Sequence, residues 1–292
     1  MHAGWSLSIG LPVALGIIML GLGLSLKLAD FRNIVARPTP VLAGLLCHSV
    51  ILPLLCLVLM LALGLPPAIS VGMMLLTISP AGTTGALFTH LARGDVALSI
   101  VMAAVTSVLS IVTLPLVSNI SFLLFYGEGE AVSLDLVQIV QFFAIATLPA
   151  LAGMWIRSRH PSLSDRLERP VKFLATVFLA AIVFFALASN WKLVGQWGPN
   201  VGLVALLFSV LALTVTYYLP RLMGIGHRQA VALALTTGIH NAALVITMAM
   251  SEFMLDNPDI AIPPALYGLV AYVTAGIFVA ILNSGRKSAA QI

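Results

Sequence analysis

The chain has 292 residues, of which 60% are hydrophobic and only 8% charged, with a mean hydropathy of +1.10 and a formal net charge of +4. This composition lies far outside soluble globular usage and marks an integral membrane protein. Apolar runs recur near the ~20 residues of a spanning helix, without an alternating strand pattern, so the fold class is an all-α polytopic bundle rather than a barrel.

The pattern predicts nine spans in order: Trp5 to Leu26, Pro40 to Leu63, Ala68 to Phe88, Val96 to Tyr126, Leu134 to Ile156, Val171 to Asn190, Val201 to Leu219, Gln229 to Met250 and Pro263 to Leu282. The start, Met1-His2-Ala3-Gly4-Trp5, lacks the basic region of a signal peptide, so the first run is read as a retained helix. The fourth is longer than one crossing needs and must tilt, bend at Pro115 or run on outside. Cys47 and Cys56 share one apolar run, too few and too close for a disulfide framework or a zinc site, and read as packing. The segment Arg157 to Pro170 reads as the longest connection and divides the chain near its middle.

On this count Lys27, Arg32, Arg37, Arg93, Arg157, Arg159, Arg166, Arg169, Lys172, Arg221, Arg228, Arg286 and Lys287 fall on one side, and Lys192 alone on the other. The positive-inside rule makes the basic side cytoplasmic, with the N-terminus outside and the C-terminus inside a cell (inner) membrane. The net charge therefore reports topology and points to the lipid bilayer, not to nucleic acid. Glu128, Glu130, Asp135, Glu252, Asp256 and Asp259 border the outer side; Asp30, Asp95, Asp165 and Glu168 lie among the inner basic residues. No Asp, Glu, Lys or Arg remains at mid-membrane, which argues against a carboxylate proton relay, a voltage sensor or an intramembrane aspartyl protease. No positioned pair of nucleophile and base is enforced by spacing, so the reading is not an enzyme, and no cofactor or metal is expected.

The eighth span is apolar at both ends and polar at its centre, Thr236-Thr237-Gly238-Ile239-His240-Asn241. The tripeptide Thr-Thr-Gly also occurs about half a chain length earlier, in Ser79-Pro80-Ala81-Gly82-Thr83-Thr84-Gly85. Polar, glycine-containing stretches in corresponding spans point to a transporter site formed by broken helices. A helix broken at mid-membrane exposes N–H groups and a positive dipole end that attract an anion without lysine or arginine. The plainer reading is close helix packing through small residues. Candidate substrate-binding residues are Thr83, Thr84, Gly85, Thr237, Gly238 and Asn241. His48 and His240 lie inside spans, and histidine is the side chain able to change charge near neutral pH; the plainer reading is an imidazole hydrogen-bonded between helices.

Four stretches carry a resemblance: Leu15-Gly16-Ile17-Ile18-Met19-Leu20-Gly21-Leu22-Gly23-Leu24-Ser25-Leu26-Lys27, Pro80-Ala81-Gly82-Thr83, Gly94-Asp95-Val96-Ala97-Leu98-Ser99 and Thr237-Gly238-Ile239-His240-Asn241-Ala242-Ala243-Leu244. In order and together they resemble the bile acid:sodium symporter family. The resemblance implies panel and core domains, two discontinuous helices crossing in the core, and substrate bound between the domains. It also implies an inverted repeat lacking its first helix, with residues 1–133 as the first repeat of four helices and 134–292 as the second of five. Where the family pattern has Ser-Asn this chain has Gly85-Ala86, a threonine is replaced by Ala103, the glutamate by Thr236, and two glutamines by His48 and His240. Ser99 and the carbonyls near Thr237 and Ile239 remain as sodium ligands, and a hard cation held only by neutral oxygens is poorly compensated for dehydration. The expectation is thus a secondary transporter of small organic anions, proton-coupled through His48 and His240. The alternatives are sodium coupling through a reduced site around Ser99 and Thr236, or an uncoupled facilitator or receptor.

Overall fold

The computed structural model describes residues 2–25, 38–82, 84–127, 136–189, 191–251 and 254–289. Lys27, Asp30, Arg32, Arg37, Thr83, Glu128, Glu130, Asp135, Glu252 and the repeat boundary at 133–134 lie outside the described residues. The described elements are helical: α1 (His2–Ser25), α2 (Pro38–Leu46), a π-helical turn (Cys47–Ile51), α3 (Leu52–Leu63), α4 (Pro67–Ile78), α5 (Thr84–Leu91), α6 (Val96–Tyr126), α7 (Leu136–Arg159), α8 (Pro161–Ser189), α9 (Trp191–Leu222), α10 (His227–Thr237), α11 (Ala242–Met250), a 3-10 turn (Pro258–Ala261) and α12 (Ile262–Ala289).

Among the described residues three helices are long and apolar enough to cross a membrane: Pro38–Leu63, Gly198–Leu222 and Pro258–Ser284. A fourth is added if the bent pair Val96–Ser110 and Val112–Tyr126 counts as one span. The 57° bend in that pair falls one turn before Pro115. Proline supplies no N–H to the carbonyl four residues back and its ring crowds that carbonyl, so the helix opens there.

Each of these helices keeps an apolar stripe turned outward. Leu42, Leu46, Val50, Leu54, Val58 and Leu61 are exposed along Pro38–Leu63, and Leu269, Val273, Ile277 and Ile281 along α12. Spacing of three or four residues puts each set on one helix face. In water such faces would be a large apolar patch; in a bilayer they meet lipid.

Two groups of helices are evident from the packing. α1 lies against α7 and α8, while α2 to α6 and α9 to α12 pack among themselves; α11 touches α1 and α8, and α9, α12 and the 3-10 turn also touch α8. The first group depends on close backbone approach. A Cβ on Gly23 would collide with the Ala150 carbonyl oxygen, and one on Gly153 would fall 2.6 Å from that of Leu20. Ser164 Oγ adds a hydrogen bond to Leu24 O at 3.1 Å.

The segment read as a long connection is mostly helix. α7 runs to Arg159 and α8 begins at Pro161, leaving His160 between them. Pro161 suits a first helical position, and Arg157 pairs with Asp165 and, at 3.8 Å, with Glu168, pinning the two helices at the corner. Basic ends also gather elsewhere: Asp95 N–H donates to Arg228 O at 2.9 Å and Asn283 Nδ2 to Leu91 O at 3.1 Å, bringing the turn at Arg93, the start of α10 and the end of α12 together.

Gly153→Val is expected to destabilise the protein by about 1–3 kcal/mol, because the added carbons meet backbone that cannot yield. Gly276→Ala, whose Cβ meets open space, is the comparison and should be neutral or stabilising by up to about 1 kcal/mol. Thermal unfolding in detergent reads both; equal midpoints for the two variants would refute the close α1–α7 contact.

Candidate functional site

The polar centres of two sequence-read spans meet. α4 ends at Ile78 and α5 starts at Thr84; α10 ends at Thr237 and α11 starts at Ala242. Between them the two stretches run antiparallel where Ala81 and His240 pair as an isolated bridge. Gly82 N–H donates to Ile239 O and Asn241 N–H to Pro80 O at 3.0 Å. Ala81 N–H finds Thr106 Oγ1 of α6 at 3.0 Å. A Cβ on Gly82 would stand 2.9 Å from Ile239 O, so only glycine allows the strands this close.

The two Thr-Thr-Gly copies are not equivalent in place. The first opens α5, with Thr84 as its first residue and Gly85 N–H bonded to Gly82 O at 2.9 Å. The second closes α10, with Gly238 at its C-cap. Thr237 Oγ1 is turned onto its own helix, donating to Leu233 O at 2.7 Å. Gly85 packs against α10, where a Cβ would meet Leu235 O and Thr236 Cα, each at 2.9 Å. Asn241 is half-buried and caps α11 by accepting from Leu244 N–H at 3.2 Å, which leaves its amide NH2 uncommitted to the cap. Thr83 lies outside the described residues. Two helix N-termini, at Thr84 and Ala242, thus converge on the crossing together with two C-termini, at Ile78 and Thr237. N-terminal ends favour anions and C-terminal ends favour cations.

His48 and His240 come together. Their rings stack with centroids 5.7 Å apart and planes 20° apart, and both are buried. His48 sits in the π-helical turn, where Leu52 N–H reaches back five residues to Cys47 O. Pro53 cannot supply an N–H to Ser49 O and its ring crowds that carbonyl, so the chain widens by one residue there. His48 Nδ1 is buried without a hydrogen-bond partner. His240 is held from both sides: Nε2 faces Thr77 O at 3.2 Å and Nδ1 faces the Tyr267 hydroxyl at 3.3 Å. Tyr267 in turn donates to Gly238 O at 2.7 Å. Phe208 of α9 covers both rings, with centroids 6.0 Å from His240 and 5.8 Å from Tyr267.

A separate hydroxyl cluster lies where α5, α6 and α10 meet. Ser99 Oγ and Thr236 Oγ1 share a hydrogen bond, Thr89 Oγ1 approaches Ser99 Oγ at 3.5 Å, and all three residues are fully buried. The described buried polar residues include no Asp or Glu, and no cluster of three His, Cys, Asp or Glu is present among the described residues. Ser99 and Thr236 are therefore close to each other but belong to a different patch from His48 and His240. Sequence reasoning missed Tyr267, the Thr77 carbonyl, Thr89 and Thr106. A tyrosine inside the apolar run Pro263 to Leu282 was the available signal for the first; a backbone carbonyl gives none.

Residues 12–197 match the Sodium Bile acid symporter family. The chain belongs to that family. It is 27% identical over 270 residues to a probable sodium/metabolite cotransporter, chloroplastic, of Arabidopsis thaliana, covering 91% of this chain and 66% of that protein. It is also 27% identical over 264 residues to an uncharacterized sodium-dependent transporter of Bacillus subtilis, covering 89% and 78%. The ileal sodium/bile acid cotransporter of Homo sapiens is 22% identical over 284 residues, covering 96% and 80%. The chain thus spans just under two thirds of its plastid relative, and its relatives are transporters, not enzymes.

A double-mutant cycle tests the hydroxyl pair. Ser99→Ala and Thr236→Val should each destabilise, and the double variant should lose about 0.5–1.5 kcal/mol less than their sum. Strict additivity in thermal or denaturant unfolding would show that the two hydroxyls do not pair.

Proposed function

We propose that this protein is a secondary active transporter of small organic anions, working by alternating access and coupled to protons through His48 and His240. The observation that carries the reading is the stacked histidine pair set against the crossing of two broken segments. The named relatives support transport as the activity. The two helix N-termini at the crossing, with Thr84, Gly85, Gly238 and the Asn241 amide beside them, supply N–H groups and positive dipole ends for a carboxylate. Thr83 belongs to the same proposed anion site by sequence position, whereas the Thr237 hydroxyl is occupied by its own helix and lines the site through its backbone.

Protons are favoured over sodium by the chemistry of the donors. Sodium needs several oxygen ligands to replace its hydration shell, and a carboxylate to offset the cost of burial. The Ser99–Thr236 pair offers only neutral hydroxyl oxygens, and the described buried polar residues include no carboxylate. Sodium coupling through those hydroxyls is the second reading, favoured by the sodium-dependent relatives. Two imidazolium charges 5.7 Å apart repel by about 3 kcal/mol at an effective dielectric constant near 20. The pair therefore carries one proton per cycle, and uptake of a monoanion is electroneutral.

The relation of residues 1–133 to 134–292 as an inverted repeat, with the α1–α7–α8 group as panel and the rest as core, belongs to the same proposal. So does the orientation in a cell membrane with the N-terminus outside, for which the basic helix ends provide the support.

Uptake of labelled organic carboxylates into proteoliposomes, with sodium and pH gradients imposed separately, decides among the readings. Accumulation is expected with an inward proton gradient and no sodium. His48→Gln and His240→Gln should each flatten the pH dependence of uptake. Accumulation that requires sodium and is indifferent to both substitutions would establish the second reading; downhill equilibration alone would leave an uncoupled facilitator.

A further inference from the structure

The corner between α7 and α8 carries a charged surface remote in sequence from the crossing. Residues 157–172 hold five basic residues against two acidic ones. Both carboxylates are neutralised inside the corner, since Asp165 and Glu168 pair with Arg157. Arg159, Arg166 and Arg169 are exposed, and among the described residues no ion pair reaches them. We infer that these three arginines bind the headgroup of an anionic phospholipid whose acyl chain lies along the outer face of α8. Neither the cargo nor the coupling ion enters into this site.

Helix geometry puts the charges and an apolar surface in one line. At about 100° per residue, Arg166, Arg169, Phe173, Val177 and Phe184 of α8 fall within about 80° of its circumference, and all five are exposed. Phe173 and Phe184 are 72% and 71% exposed. At ~1.5 Å per residue the apolar part, Phe173 to Phe184, is about 17 Å long, close to half of a ~30 Å hydrocarbon core. The acyl chain of one leaflet therefore covers it, and its headgroup falls one to two turns nearer the corner, at Arg169 and Arg166.

Trp155 marks the same level on α7. It is exposed, stands one turn before Arg159, and meets His160 edge-on with ring centroids 6.2 Å apart. An indole, with an apolar body and a polar N–H, favours the boundary between hydrocarbon and headgroups. Only His160 separates the two helices, so the cations of both lie at one depth. A guanidinium can donate two parallel hydrogen bonds to a phosphate. A free anion would meet the arginines and leave the apolar line uncovered, whereas a zwitterionic lipid covers the line but brings its own cation to the arginines. An anionic phospholipid satisfies both.

The test uses the full chain in bilayers of phosphatidylcholine containing either brominated phosphatidylglycerol or brominated phosphatidylcholine. Trp5, Trp191 and Trp197 are replaced by Phe, so that quenching of Trp155 alone reports the lipid at the corner. At low salt the relative association of phosphatidylglycerol should exceed that of phosphatidylcholine by about five-fold or more, the effect of at least one cation at the surface. Combining Arg159→Gln, Arg166→Gln and Arg169→Gln should bring the ratio near one, while Lys192→Gln should leave it unchanged. High salt should also lower the ratio in the arginine-containing protein, a reading that needs no change at the corner. Native mass spectrometry of the unsubstituted chain should show phosphatidylglycerol retained in preference to phosphatidylcholine. A ratio near one at low salt, or a preference that survives the triple substitution, overturns the inference. So does loss of the preference on adding inorganic phosphate at matched ionic strength, which would make the corner a site for free anions.

Discussion

The structure depends on satisfying backbone groups where two helices stop inside a low-dielectric environment. An unpaired N–H or C=O there costs several kcal/mol, so two breaks would be intolerable if each were left alone. Placed across one another they are mutually repaired: Gly82 N–H takes Ile239 O, and Asn241 N–H takes Pro80 O. The groups left over are met by side chains sent from neighbouring helices, Thr106 to Ala81 N–H and Tyr267 to Gly238 O. The last carbonyl of this set, on Thr77, is met by His240, a residue of the crossing itself. Chemistry and scaffold are thus the same bonds.

Much of this was legible in the sequence. Composition marks the helical membrane class, and the polar interruptions at Ser79 to Gly85 and Thr236 to Asn241 coincide with the ends of α4 and α10. His48 and His240 were singled out as a pair, and their rings lie stacked. Other features resisted sequence reading for physical reasons. The corner at His160 reads as a loop because its flanks are charged, yet Arg157, Asp165 and Glu168 compensate one another across the two helices. The Thr-Thr-Gly copies look identical as strings, but one opens a helix and the other closes one, because the local partners differ: Gly82 O for the first, Ala234 O for the second. The π-turn at His48 follows from Pro53, five residues downstream, whose effect on register depends on how the helix relieves the missing bond.

Small residues and polar side chains serve the crossing in different ways. Gly82 and Gly85 set how close backbones come, since a Cβ at either would lie within 3.0 Å of backbone on the other broken segment, and Gly238 makes room for the Leu213 side chain. Threonines lie nearby in two roles. Thr237 and Thr247 turn their hydroxyls to carbonyls four residues back on their own helix, Thr106 does the same toward Met102 O while accepting from Ala81 N–H, and Thr236 reaches across to Ser99. A hydroxyl whose proton is committed in this way has no donor left for an anion, although its oxygen can still accept, as Thr106 does from Ala81 N–H. Counting hydroxyls in a motif therefore overstates what a ligand can meet.

The partners that hold the crossing all come from one group of helices: Thr77 from α4, Thr106 from α6, Phe208 from α9, Tyr267 from α12 and His48 from the turn after α2. α11, which begins directly after the crossing, touches both α1 and α8, and α9 and α12 touch α8 as well. A displacement of the α1–α7–α8 group would therefore change what lies beside α9, α11 and α12, while the hydrogen bonds of the crossing are made within the other group. Internal rigidity of this kind separates two requirements that would otherwise conflict. The hydrogen bonds of the crossing stay made, and the surface of α11 next to the other helix group is free to change its company.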